Sequence, residues 1–153
     1  MRAVLQRVKG ASVAVDGTLR GECGTGWLIL LGVETDDTAA DAGTLAGKIA
    51  RLRAFEDENG RMNRSATDIG GGALVVPNFT LCADCSHGNR PDFFGAAPPD
   101  EAKTLFLRFC DDLASAGVPV GRGVFGADMR ISASCDGPVT IILSCRGGRV
   151  GNA

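Results

Sequence analysis

The stretch Asp136-Gly137-Pro138-Val139-Thr140 constrains this chain more than any other. It separates two strand-like runs, Met129-Arg130-Ile131-Ser132-Ala133-Ser134 and Val139-Thr140-Ile141-Ile142-Leu143. Proline donates no backbone N–H, so Pro138 cannot lie mid-ladder in a central strand and must open a strand or form a turn. The glycine before it reaches main-chain angles closed to other residues, and an X-Pro bond takes the cis form at modest cost. Such a turn aims two successive carbonyl oxygens in one direction, a rigid acceptor pair made of backbone alone. The same residues also spell an ordinary Asp-Gly hairpin turn, and alone they do not decide between a turn and a site.

A second stretch adds to the first. Gly72-Ala73-Leu74-Val75-Val76 reads as a buried strand, and Pro77 ends its pairing. Asn78, Phe79 and Thr80 then fall at a strand end, with free N–H groups and one hydroxyl. Backbone donors at such a place suit an oxyanion site for ester hydrolysis. As a nucleophile, the Thr80 hydroxyl would need a base to activate it, and none is evident nearby in the sequence. The plainer reading of Thr80 is a hydroxyl capping a carbonyl at the strand end.

Other devices are poorly supplied. The chain has one histidine, His87, in a Ser-His-Gly loop, and no tyrosine. A nucleophile–histidine pair would have to use His87, which the sequence gives no orienting carboxylate. Cys82-Ala83-Asp84-Cys85 with His87 offers three zinc ligands, whereas a structural zinc site takes four, commonly from two paired clusters. A cysteine-dependent or zinc-binding use of Cys82, Cys85 and His87 therefore stays open as a rival reading. No apolar run approaches the ~18 residues of a membrane span, and no secretion signal is visible. The six cysteines are expected to be reduced thiols in a cytosolic protein. The net charge of -2 argues against a long phosphate-gripping surface, so any RNA contact should be local.

The length of 153 residues suits one compact domain. Residues 3–8 and 12–15 read as separate strands, with Ala3, Leu5 and Arg7 on one face of the first, and residues 27–33 as a central strand covered on both faces. A helix is expected over residues 38–53, with Leu45, Ile49 and Leu52 as its apolar stripe. Pro98-Pro99-Asp100-Glu101 opens a second helix, carried by Leu105, Phe109 and Leu113 and stopped at Gly117. Phe93 and Phe94 lie in a loop with few periodic signals, where aromatics either pack beneath the loop or line a pocket; packing is the favoured reading. Residues 146–153 carry no packing signal and are expected to form a flexible tail after a single domain at 1–145. The fold class is α+β, a mostly antiparallel sheet with two helices.

The two stretches together resemble the D-aminoacyl-tRNA deacylase family, whose signatures run Ser-Gln-x-Thr-Leu and Asn-x-Gly-Pro-Val-Thr. Here they stand as Pro77-Asn78-Phe79-Thr80-Leu81 and Cys135-Asp136-Gly137-Pro138-Val139-Thr140. The resemblance extends through Met1-Arg2-Ala3-Val4-Leu5-Gln6-Arg7-Val8, Phe55-Glu56-Asp57-Glu58-Asn59-Gly60-Arg61-Met62-Asn63 and Gly123-Val124-Phe125-Gly126-Ala127-Asp128-Met129. It implies a β-barrel-like homodimer that hydrolyses D-aminoacyl-tRNA, and glycine mischarged onto tRNA(Ala), in the cytoplasm without metal or cofactor. It implies no membrane or DNA partner. It assigns Asn78, Phe79 and Thr80 to catalysis, with the 2′-hydroxyl of the terminal adenosine assisting. It assigns the carbonyls of Gly137 and Pro138, lent by the partner subunit, to the substrate's amino group, where an L side chain would collide. Arg7 matches an arginine that supports this motif; from its pattern alone it is equally an exposed strand charge. Phe125, Gly126, Ala127 and Met129 match the pocket for the adenosine, although Phe125 and Met129 also read as core. Pro77, Asn78 and Cys135 depart from the usual Ser, Gln and Asn. A related animal branch with relaxed chirality also has Pro at the first of these positions. A non-catalytic dimer binding a nucleotide or amino acid is the remaining alternative.

Overall fold

The computed structural model describes residues 1–151. Strand β1 (Arg2–Val15) leads into β2 (Thr18–Cys23) and β3 (Gly26–Gly32), then helix α1 (Ala39–Ala50). The short β4 (Phe55–Glu56) and β5 (Met62–Arg64) form a hairpin of their own, followed by β6 (Gly72–Pro77). A 3-10 turn (Phe79–Cys82), helix α2 (Pro99–Ser115), β7 (Val120–Arg122), β8 (Arg130–Arg146) and β9 (Arg149–Gly151) complete the chain.

The α+β class with two helices holds, but the sheet is mixed rather than mostly antiparallel and barrel-like. It runs β7-β6-β3-β1-β8-β9, with β2 also on β1. Strand β6 is parallel to both β3 and β7, while the β1 and β8 pairings are antiparallel. Parallel strands covered on both faces read as unbroken apolar runs, which is what β3 and β6 are. Their sequences record burial but not direction.

The two strands expected over residues 3–15 are one, because β8 pairs with it from Arg2 to Ala14, with register shifts around Arg7 and Lys9. Its other edge is shared, residues 2–8 by β3 and residues 11–15 by β2. The expected tail is also corrected in part. Gly147 and Gly148, both at positive φ, turn the chain back so that β9 pairs with the end of β8; residues 152–153 lie outside the described residues.

One core lies between the sheet and the helices. Leu5, Trp27, Ile29 and Val75 face Leu45 and Ile49 of α1 and Phe106, Phe109 and Leu113 of α2, all buried. Each such side chain contributes roughly 1.5–3 kcal/mol on burial. A smaller cluster on the other side gathers Val8, Val13, Leu28, Leu74 and Val76. Thr38 caps α1 in a reciprocal box with Asp41. Among the described residues no helix is long and apolar enough to cross a membrane.

Candidate active site

The Gly137–Pro138 segment is not a hairpin turn. Both flanking runs pair with β1 in the same sense, Cys135 opposite Val8 and Thr140 opposite Gln6. Residues 136–139 therefore bulge from the ladder opposite Arg7, which removes Pro138 from a place where an N–H is needed. The Gly137–Pro138 bond is cis. Gly137 has φ of 134°, and a Cβ there would lie 2.5 Å from the backbone nitrogen of Val139. Both Gly137 and Pro138 are exposed.

Arg7 braces the base of this bulge. It is 5% exposed, which excludes the reading as an exposed strand charge. Its Nη1 donates to the carbonyl of Ala54 at 2.8 Å and its Nε to that of Asp136 at 3.3 Å. Its guanidinium also pairs with the carboxylates of Asp136 at 3.2 Å and Glu56 at 3.5 Å. A buried arginine is tolerated when its donors are met in this way. Beside it the Thr140 hydroxyl donates to Oε1 of Gln6.

A cavity of about 940 Å³ opens on the same chain. The end of β6 and the 3-10 turn contribute Pro77, Asn78, Phe79 and Thr80, and the segment before β8 contributes Phe125, Gly126, Ala127 and Met129. These two groups, far apart in sequence, meet because Gly123 is packed against Pro77. A Cβ at Gly123 would lie 3.0 Å from Pro77 Cδ and from Met129 Sδ. Phe125 is backed by the buried Phe106, with ring centroids 6.2 Å apart. Gly137, Pro138 and Arg7 do not line the cavity.

Asn78 donates its backbone N–H to Leu31, continuing the parallel register past Pro77. The following residues form a 3-10 turn rather than a plain strand end. A turn of this kind leaves its first N–H groups without partners inside it, and here those belong to Phe79 and Thr80. The Thr80 hydroxyl donates to Oδ1 of Asn78 at 2.5 Å. Cys82, at the end of the turn, is buried with its thiol 3.5 Å from the Val33 carbonyl. Burial pushes that thiol up, away from thiolate chemistry. All six cysteines are free. Among the described residues no three His, Cys, Asp or Glu side chains gather closely enough to hold a metal ion.

Phe93 and Phe94 are corrected from loop packing to cavity lining. Their segment is pinned by mutual backbone bonds between Asp84 and Asp92 and by bonds that tie Gly95 to Thr35 and Ala97 to Val33. Phe93 meets Phe79 edge-on, with centroids 5.0 Å apart. Phe94 is 90% exposed and Phe79 60% exposed. Nothing periodic in residues 83–97 signals these positions; their aromatic character inside a polar loop is the one clue.

The D-Tyr-tRNA(Tyr) deacylase family model matches residues 4–144. This chain belongs to that family. Among its relatives, the D-aminoacyl-tRNA deacylase of Chlorobaculum tepidum is 56% identical over 144 residues, 94% of this chain and 96% of the relative. That of Deinococcus radiodurans is 54% identical over 143 residues, 94% and 99% of the two chains. A solved structure described as a c-Myc DNA unwinding element binding protein has a TM-score of 0.89 at 38% identity, covering 96% of this chain and all of its own. A structure of a probable eukaryotic D-amino acid tRNA deacylase, at 17% identity and a TM-score of 0.81 over 92% of this chain, shares the fold.

Proposed function

We infer that this family member is a homodimeric hydrolase that cleaves the ester of D-aminoacyl-tRNA, releasing the D-amino acid and free tRNA. One observation carries the reading: a single cavity joins Asn78, Phe79 and Thr80 to Phe125, Gly126, Ala127 and Met129. The terminal adenosine stacks on Phe125 and Met129, as unpaired bases do on aromatic and apolar faces. Its ester carbonyl then sits at the 3-10 turn, where the N–H groups of Phe79 and Thr80 receive the developing oxyanion. Water adds to the carbonyl carbon, the bond to the ribose oxygen breaks, and that oxygen leaves protonated. The adenosine 2′-hydroxyl assists. The Thr80 hydroxyl, engaged with Asn78, holds the turn in place rather than attacking.

The exposed bulge that Arg7 braces belongs to the neighbouring site. Lent by a second copy, the carbonyls of Gly137 and Pro138 accept from the substrate's ammonium group and stand where an L side chain would lie. Exclusion by a rigid wall rejects the common enantiomer without needing a pocket for any D side chain. Glycine has no side chain to collide, so glycine mischarged onto tRNA(Ala) is cleared as well. The work is cytoplasmic, close to the tRNA pool, with neither DNA nor membrane as partner and no metal or cofactor.

Mixed dimers test the division of labour. Gly137→Ala and Phe125→Ala are each expected to be nearly inactive on D-tyrosyl-tRNA. Unfolding and refolding the two together should restore about a quarter of wild-type activity, because random two-fold dimers then carry one intact site each in half the population. No recovery, with dimers demonstrably mixed, would sink the shared site.

A further inference from the structure

Phe94 has no part in the chemistry above and gains nothing from folding as it stands. Its ring is 90% exposed on a segment whose backbone is fixed on both sides. It is not an isolated surface hydrophobe, which would need no explanation. It shares the cavity lining with Phe93 and with the 60% exposed Phe79, so the three rings make one aromatic rim beside the reaction site.

The charge of the chain narrows what such a rim can serve. At a net charge of -2, affinity for tRNA cannot rest on a broad phosphate grip. Unpaired nucleotides offer a second handle, since any base stacks on an aromatic ring and sequence scarcely matters. Every tRNA presents the terminal adenosine on an unpaired strand, so the nucleotide before it must leave the cavity past its rim. We propose that Phe94 is a stacking platform for the base that precedes the terminal adenosine. This rests on the reading that places that adenosine at Phe125 and Met129. It makes Phe94 a binding determinant for tRNA as a polymer, distinct from the groups that hold the reacting ester.

The experiment compares Phe94→Ala, Phe94→Trp and Phe125→Ala on D-tyrosyl-tRNA, D-tyrosyl-cytidylyl-adenosine and D-tyrosyl-adenosine. Phe94→Ala is expected to raise KM about tenfold for the two substrates that carry the preceding base, with kcat held. The rise for the adenosine ester should be several-fold smaller. Phe94→Trp should restore the wild-type KM. Equal losses on all three substrates, or no loss on any, would overturn the proposal. So would a loss that depends on the amino acid, seen with D-tyrosyl but not D-alanyl esters, which would make Phe94 a side-chain contact. A change in dimer mass on Phe94→Ala would assign the ring to the subunit contact and overturn it too. Phe125→Ala separates the two levels. If it weakens the adenosine ester while Phe94→Ala does nothing, only the stacking proposal fails; if it leaves the adenosine ester untouched, the adenosine reading fails and takes the proposal with it.

Discussion

The cavity and the Gly137–Pro138 bulge differ in how they are made. The cavity is assembled within one chain, from the end of β6, the 3-10 turn, the loop at residues 83–97 and the segment before β8. The bulge is extruded from the β1–β8 ladder, is exposed, and contributes nothing to that cavity. Yet it is braced from below by a buried guanidinium with several partners. A rigid, exposed backbone feature with such a support is what the proposed reading needs of a group lent to a second copy. The difference fits the proposed division of labour, in which side chains and N–H groups around a cavity hold the ester and two carbonyl oxygens carried elsewhere judge its handedness.

The comparison breaks most sharply at Gly137. A methyl group there would sit 2.5 Å from the Val139 nitrogen, at a φ of 134° that L residues rarely adopt, so the main chain must move. Gly137→Ala is expected to cut hydrolysis of D-tyrosyl-tRNA about 100-fold, the scale of losing one preorganised polar contact to the reacting centre. The ratio of D to L rates should fall with it. Thermal stability should change little, because the bulge is exposed. An unchanged D/L ratio would count against the wall.

Arg7→Met should couple the bulge to the fold. It removes charged hydrogen bonds to the Ala54 and Asp136 carbonyls, each worth roughly 1.5–3 kcal/mol. An overall destabilisation of about 3 kcal/mol in urea unfolding is expected, together with a reduced D/L ratio at temperatures where the variant is folded. Destabilisation with the ratio intact would make Arg7 a packing residue only. On the cavity side, Thr80→Val should cost no more than about tenfold, the scale of a lost hydrogen bond, while a terminal 2′-deoxyadenosine substrate should lose far more. Abolished activity in Thr80→Val, with Thr80→Ser active, would instead make the hydroxyl the nucleophile.

Much of this was legible in the residues, for stateable reasons. That Pro138 stands apart from a regular ladder was readable, because proline lacks the N–H, but a strand start or turn was expected where a bulge within β8 is found. The helices follow from Leu45 and Ile49, and from Phe109 and Leu113, at helical spacing. The parallel pairing of β6 was missed because apolar runs record burial on both faces and leave direction open; that the runs are unbroken was the available signal. Strand β9 was missed although Gly147-Gly148 is a two-residue turn signal, because only Val150 in the following run is apolar. In the site, the meeting of Phe125 with Thr80 depends on a close approach at Gly123, which no periodicity encodes. The exposed rim at Phe94 depends on pairings of its loop with residues distant in sequence, Thr35 with Gly95 and Val33 with Ala97.

The smallest expected effect on catalysis concerns the far end of β8, where support comes from a carboxylate rather than a guanidinium. Asp41 is buried, and burial by itself raises its pKa. That is outweighed by hydrogen bonds from the Gly148 backbone, from the Thr38 hydroxyl and backbone, and from the Cys145 thiol, which hold it down to about 2. Its unfolded counterpart titrates near ~3.9, so between these values the unfolded chain binds more protons and stability rises with pH. The contribution, roughly 2.5 kcal/mol, is complete above about pH 5 and is lost as pH falls towards 2. Asp41→Asn should be less stable than wild type at pH 6, and the gap should close as pH falls through that window. Urea unfolding of both proteins at pH 6 and near pH 2 checks this. A gap that stays constant would mean that the helix cap and the β8–β9 turn hold without the charge. Exposed carboxylates elsewhere titrate in both proteins, so the difference between the two isolates Asp41. Deacylation at neutral pH should survive the substitution wherever the fold does, since Asp41 lines neither the cavity nor the bulge.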